Sequence, residues 1–174
     1  MPFKSESRIN CFPPLIKTDT KILILGTIPG NDSIKLSMYY GNENNHFWDF
    51  IYRILDKNFP VDRLITKAGN KDLHYQFLMD HHLGLWDVIS NCTREGSNDS
   101  KIKDAAFNKI AYQIKNDIKV VLCNGEKAYK YLKQSKELEK VPVPVKILGS
   151  TSTMSPTNTF KTLNQWRDEI NKWL

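Results

Sequence analysis

The sequence predicts an α/β protein with three layers, α/β/α, around a central four-stranded, mostly parallel sheet. Two observations predict it. Short apolar runs recur at residues 22–25, 84–89, 118–123 and 142–148. Segments with apolar residues at helical spacing separate these runs, and one more follows the last. Strand–helix alternation of this kind implies a mostly parallel sheet covered by helices on both faces.

Residues 1–20, which include Cys11-Phe12-Pro13-Pro14, read as an irregular N-terminal arm lying on the first strand, and residues 1–174 make a single domain. Ile22-Leu23-Ile24-Leu25 ends at Gly26 and reads as a strand buried on both faces. Pro29 and Gly30 force a turn, after which Asn31, Asp32 and Ser33 can cap a short helix. Residues 45–55 read as a helix with Phe47, Trp48, Ile51, Ile54 and Leu55 at helical spacing. Residues 59–70 connect it to a second helix, 71–82, with Leu73, Phe77 and Leu78 on one face. His81 and His82 are adjacent, so they do not share a helix face as metal ligands would. The second strand, 84–89, leads into a long polar loop, 91–101, and Asp104 then caps a helix running through Ile114. The third strand, 118–123, stops at Asn124-Gly125, and a helix follows over 126–134. In the fourth strand, 142–148, Pro142 and Pro144 suit a sheet edge. A hydroxyl-rich loop, 149–158, precedes an amphipathic helix, 160–174, carrying Leu163, Trp166, Ile170 and Trp173.

A chain of 174 residues can bury a substantial core, and 40% hydrophobic with 25% charged residues is ordinary for a soluble domain. The three cysteines are odd in number and widely spaced, which argues against a disulfide framework, a zinc ribbon or an iron–sulfur cluster. No ligand cluster for a metal is visible. The first residues carry charge and no apolar core of a signal peptide, and no stretch reaches transmembrane length, so a cytoplasmic protein without a membrane partner is expected. The net charge of +6 is uneven: residues 1–87 carry 10 Lys/Arg and 10 Asp/Glu, residues 88–174 carry 15 and 9. A basic half fits a polyanion partner. Lysines at helical spacing also make a plain solvated face, and charge alone leaves both open.

Ligands of open α/β sheets sit beyond the carboxyl ends of the strands, which makes residues 26–33 the default site. No Lys-Ser/Thr follows Gly30, Gly26 and Gly30 do not form GxGxxG, and no GxSxG elbow occurs. What remains is a Gly-Thr-Ile-Pro-Gly turn followed by MYYGNENNHFW at 38–48.

Three stretches converge: GTIPGNDS with YYGNENNHFW, GLWDVISNCTREGSNDSKI, and LGSTSTMSPTN. From about residue 21 to 158 they resemble the uracil-DNA glycosylase superfamily, most closely its hypoxanthine-DNA glycosylase branch. The Tyr-Tyr…Asn-x-Phe-Trp and Gly-Ser-x-Asp-Ser pieces are the specific ones. Asn42-Glu43-Asn44 stands where that branch has His-Pro-Arg, and Thr153-Met154-Ser155 interrupts its last motif. Both departures lie where substrate is gripped and bear on substrate range more than on fold.

The resemblance implies a monofunctional DNA glycosylase of the uracil/hypoxanthine type, working without a cofactor, its partner damaged DNA and its state a monomer. Such an enzyme flips out a nucleotide and hydrolyses the N-glycosidic bond. Ile28 occupies the place where sister branches position a water, and it cannot do so. The resemblance assigns that role to Asn45, whose amide can orient a nucleophile without being a strong base; Asn45 is equally suited to capping the helix that follows. The base slot it implies comprises Gly26, Thr27, Ile28, Tyr40, Phe47 and Asp87, with Tyr40 or Phe47 stacking on the ring. The Asp87 carboxyl accepts an imide N–H there; an ion pair or loop cap is the alternative. DNA contacts fall to Pro29, Gly30, Ser33, Arg94, Ser97, Ser100, Ser152, Ser155, Pro156 and Asn158, with Met154 as an apolar wedge. The rival to the enzyme is a catalytically inactive nucleic-acid- or nucleotide-binding protein of the same fold. A flavodoxin-like module would need a phosphate loop at the first turn, and Pro29 counts against it.

Overall fold

The computed structural model describes residues 8–59, 69–96, 99–115, 117–152 and 156–174. In chain order its elements are β1 (Ile9–Asn10), β2 (Ile22–Gly26), α1 (Asn31–Leu36), α2 (Phe47–Leu55), α3 (Lys71–Asp80), β3 (Leu83–Asp87), β4 (Ile89–Arg94), β5 (Ile102–Phe107), α4 (Ile110–Gln113), β6 (Val120–Asn124), α5 (Glu126–Gln134), β7 (Val145–Leu148) and α6 (Pro156–Trp173).

Four strands form an all-parallel sheet in the order β3-β2-β6-β7. β2 lies inside it with all five residues buried, which is why its sequence is continuously apolar. Its side chains alternate between two cores. Ile22 and Ile24 face Phe47, Trp48, Phe50, Leu78 and Trp166 from α2, α3 and α6. Leu23 and Leu25 face Ile110, Ala128 and Leu132 from α4 and α5. The expected three-layer α/β/α fold with a four-stranded sheet is therefore present. β7 sits at the edge as expected, but pairs only from Val145, because Pro142 and Pro144 have no N–H to give. No helix among the described residues is long and apolar enough to cross a membrane.

Several boundaries move. α1 is capped by Gly30, so Asn31, Asp32 and Ser33 lie inside its first turn instead of capping it. α2 begins at Phe47 with His46 at its cap, leaving Asn45 outside the helix. α3 ends at Asp80, and Leu73, expected on its inward face, is solvent-exposed, whereas Leu78 is buried. The predicted connector 59–70 falls mostly outside the described residues. α6 starts at Pro156, four residues before the predicted start, with proline in the first turn where its missing N–H costs nothing.

The main correction concerns 89–107. Most of the predicted polar loop and the first part of the helix capped by Asp104 are instead an antiparallel pair, β4 and β5, which with β1 makes a second sheet in the order β1-β4-β5; the end of that helix remains as α4. Register shifts between Ile89 and Asn91 and between Asn91 and Thr93 break the two-residue alternation by which a half-buried strand is recognised. Asp104 sits within β5 at φ 51, a left-handed conformation unlike that of a helix cap. Ile28, Ile89 and Cys92 form the small core beneath this sheet.

The N-terminal arm lies against β3 more than against β2. The Leu15 and Leu85 N–H groups exchange hydrogen bonds with each other's carbonyls at 2.8 and 3.0 Å, so the arm covers an edge strand that would otherwise be open. This seating requires Gly84, since a Cβ there would lie 2.6 Å from the Leu15 carbonyl oxygen. Gly84→Ala should therefore destabilise the protein by about 1–3 kcal/mol in urea unfolding while leaving helix content unchanged; an unchanged midpoint would show that the arm is not held there.

Candidate active site

β2 runs directly into the turn Thr27–Gly30, and two hydrogen bonds strap that turn to the β3–β4 junction: Val88 N–H to the Gly26 carbonyl at 2.9 Å and Ile89 N–H to the Thr27 carbonyl at 3.1 Å. Beyond it lies a cleft of about 260 Å³. Its walls come from the β2 turn, the start of α1, the 39–45 segment, and the carboxyl ends of β3, β6 and β7. β2 connects onward to β3 on one side, and β6 to β7 on the other, so the cleft stands at the topological switch point of the sheet.

Gly26 pairs with Asp87 across the parallel register. A Cβ on Gly26 would meet Asp87 Oδ1 at 2.6 Å and the Tyr40 hydroxyl at 2.9 Å, so both polar groups close over a bare backbone. Asp87 is only 4% exposed, and its own carbonyl accepts from Asn108 Nδ2 at 2.8 Å. Tyr40 holds φ 53, unusual for a bulky residue, and its ring stacks on Phe47 with centroids 4.1 Å apart. The Tyr40 hydroxyl is buried, with the Asp87 carboxyl and the Asn124 amide beside it. Burial, then the Asp87 charge beside it, pushes that hydroxyl well above its usual range, so it stays a donor at any working pH.

Asn45 is held from two directions. Its Oδ1 accepts from Phe47 N–H at 2.9 Å and from Thr151 Oγ1 at 2.9 Å. Thr151 is wholly buried; its carbonyl accepts from His46 N–H, its N–H donates to Asn124 Oδ1, and its Oγ1 accepts from Asn124 Nδ2. The helix-start role foreseen as the alternative for Asn45 is thus met through its side chain, and the same amide lines the cleft.

Of the residues expected here, Gly26, Thr27, Ile28, Tyr40, Asn45 and Asp87 line the cleft together, as do Pro29, Gly30, Ser33 and Ser152. Phe47 does not: it is fully buried behind Tyr40 and supports that ring from the rear. Ser33 is buried in the wall, its Oγ accepting from Gly41 N–H at 3.0 Å. Arg94 is corrected from a phosphate contact to a clamp: it is 7% exposed, with Nη2 donating to the Pro29 carbonyl at 2.8 Å and Nε to the Gly96 carbonyl at 2.7 Å. Ser100 and Asn158 are exposed and do not line the cleft. Ser97, Met154 and Ser155 lie outside the described residues, and Pro156 opens α6. Sequence reasoning missed Phe12, Asn124 and Thr151. Asn124 had a usable signal, an amide where an apolar strand ends on glycine.

The clamp reading of Arg94 is testable. Arg94→Ala strands a buried proline carbonyl and should cost about 1–3 kcal/mol in denaturant unfolding. The slope of log affinity against log salt for duplex DNA should match the parent's, whereas losing a phosphate contact would reduce it by about one.

Residues 13–174 match the model of the uracil DNA glycosylase superfamily. Two proteins named hypoxanthine DNA glycosylase are similar to this chain: one from Methanosarcina barkeri, 37% identical, and one from Methanosarcina acetivorans, 36% identical, each over 69% of this chain and 73% of the relative. A solution NMR structure of a candidate uracil DNA glycosylase from Methanosarcina acetivorans superimposes with a TM-score of 0.74 at 26% identity, covering 96% of this chain and 99% of that one. With the cleft at the switch point of its parallel sheet and a family match across all but the first twelve residues, the chain belongs to the uracil DNA glycosylase superfamily.

Proposed function

We propose that the protein is a monofunctional DNA glycosylase that flips a deaminated nucleotide into this cleft and releases its base by hydrolysis, with hypoxanthine the preferred base and uracil a second substrate. One observation carries the reading. Over the bare backbone of Gly26 stand one acceptor, the Asp87 carboxyl, and one donor, the buried Tyr40 hydroxyl. Hypoxanthine and uracil both present a ring N–H beside a carbonyl, which such a pair complements. Adenine, the parent of hypoxanthine, has an amino group in place of the carbonyl and no ring N–H on that edge.

The reaction breaks the bond between the base and C1′ and forms a bond from water oxygen to C1′; a water proton ends on the departing base. Charge develops on sugar and base together, so the protein's part is placement and electrostatic support. Asn45, fixed at the start of α2, orients the water. DNA approaches a basic surface: α5, which starts beside the cleft at the end of β6, exposes Lys127, Lys130 and Lys133 at three-residue spacing.

The test is single-turnover excision from oligonucleotides carrying hypoxanthine, uracil or a G·T mismatch, read by alkaline cleavage of the abasic product. Removing one well-placed polar group typically costs roughly 10²–10³ in rate. Asn45→Ala and Asp87→Ala should each fall by about that factor with duplex affinity nearly unchanged. Tyr40→Phe should lose excision of hypoxanthine by roughly ten-fold or more while its melting temperature stays near the parent's, because it deletes one hydroxyl and keeps the ring stacked on Phe47. An inactive parent protein would favour the nucleic-acid-binding alternative.

A further inference from the structure

We infer that Phe12, on the N-terminal arm, is a substrate-contacting residue whose ring lies against the face of the flipped base, so that the arm covering the sheet edge is also part of the binding site. The inference rests on the glycosylase reading above and deepens it.

The arm reaches the cleft because of the direction in which it runs. Leu15 pairs antiparallel with Leu85, so the chain read backwards from Leu15 follows β3 toward its carboxyl end. There Cys11 N–H donates to the Ser90 carbonyl at 2.9 Å, while Leu15 N–H donates to the Leu85 carbonyl at 2.8 Å. Phe12 lies between these two anchors and lines the same cleft as Asp87. Further contacts fix it. The Tyr39 hydroxyl lies 3.2 and 2.8 Å from the Phe12 and Pro13 carbonyl oxygens. Pro13 and Pro14 lock two successive φ angles directly behind the ring. An aromatic side chain held in this way loses little freedom when a ligand arrives.

A flipped base makes two demands: hydrogen bonds to its polar edge, in the plane, and apolar cover on its faces. Asp87 and the Tyr40 hydroxyl, both over Gly26, meet the first. A phenol that donates in the plane of the base keeps its own ring beyond the base edge, so Tyr40 does not also cover the face. Phe47, expected from the sequence to stack, is fully buried behind Tyr40. Of the described aromatic residues that line the cleft, Phe12, Tyr39 and Tyr40, the second is only 3% exposed. That leaves Phe12, which is half-buried. Its ring meets Tyr39 edge to face, with centroids 5.2 Å apart and planes at 79°. Whichever ring gives its edge, this contact leaves Phe12 at least one face.

Phe12→Leu keeps apolar bulk against Tyr39 and removes the aromatic face. Two duplexes probe it. One carries hypoxanthine on a 2′-fluorinated deoxyribose, which resists hydrolysis because fluorine destabilises a cationic sugar. The other has a tetrahydrofuran ring in place of the nucleoside and so presents no base. Phe12→Leu should bind the first roughly ten-fold more weakly than the parent and the second equally well, with a melting temperature near the parent's. Equal losses on both duplexes, or none on either, overturn the inference, and so does a parent that binds the two equally. Single-turnover excision of hypoxanthine at sub-saturating protein should fall by the same factor of roughly ten. The parent protein gives a second readout. With ring-¹³C phenylalanine, the Phe12 signal should move on adding the hypoxanthine duplex and hold on adding the abasic one; the same response to both removes Phe12 from the site. If the parent excises no base, the glycosylase reading fails and the two duplexes still decide Phe12: discrimination lost in Phe12→Leu upholds the contact, and discrimination kept overturns it.

Discussion

The structure depends on the absence of one side chain, at Gly26. The parallel register sets Gly26 directly beside Asp87, and the Tyr39–Tyr40 segment folds back over both. Any Cβ at this position would stand 2.6 Å from a carboxyl oxygen held by the neighbouring strand. The bare backbone allows an acid, a phenol and a strand end to meet where three larger residues would force the strands apart. Once they meet, Tyr40 has to adopt a left-handed backbone, and the surroundings enforce it. Phe47 stacks on its ring, Trp48 Nε1 holds the Tyr39 carbonyl at 2.8 Å, and the Tyr39 hydroxyl reaches the Pro13 carbonyl at 2.8 Å. The aromatic pair Phe47-Trp48 therefore shapes the site from behind without touching what enters it.

How much of this was legible in the sequence follows from what each feature depends on. β2 and β6 were legible because strands buried on both faces must be continuously apolar, and α5 because its inward residues keep helical spacing. The β4–β5 pair was not, because its bulges scramble the alternation and its composition is polar enough for a loop. In the site, Asp87 and the Gly26 turn were legible from position, since a strand's carboxyl end in an α/β sheet is where ligands bind. Arg94 was misread because an arginine near a Gly-Ser-x-Asp-Ser stretch has the same sequence appearance whether its guanidinium meets phosphate or, as here, the Pro29 and Gly96 carbonyls. Asn124 and Thr151 were illegible as a pair. They are 27 residues apart and meet only because β7 lies beside β6.

The cleft is preorganised by hydrogen bonds from several segments of the chain. Val88 and Ile89 hold the turn, Arg94 holds Pro29 from beneath, and Thr151 gathers Asn124, Asn45 and His46. Each of these contacts comes from a different segment of the chain, so the geometry is a property of the completed fold and not of any local motif. Such an arrangement carries its reorganisation cost in folding, and the polar groups are already aimed when charge begins to develop.

The neutral hydrogen bonds from Asn124 to Thr151 and from Thr151 to Asn45 also have an electrostatic logic. Asp87 is a buried acid facing the space that the base would occupy. A second carboxyl on the opposite wall, at the position of Asn45 or Asn124, would repel it, and one of the two would be driven toward its protonated form. The donor–acceptor pattern of the cleft would then change with pH in the range where the protein must work. Amides avoid this, since they impose direction through N–H and C=O dipoles that do not titrate. With two amides and a threonine on one wall, the buried acid on the other can act as an acceptor. The same choice limits the chemistry: an amide cannot take a proton from water, so a site built this way must work by placing the water and by stabilising the departing base. That suits a leaving group whose bond breaks early and suits poorly any reaction needing a strong base.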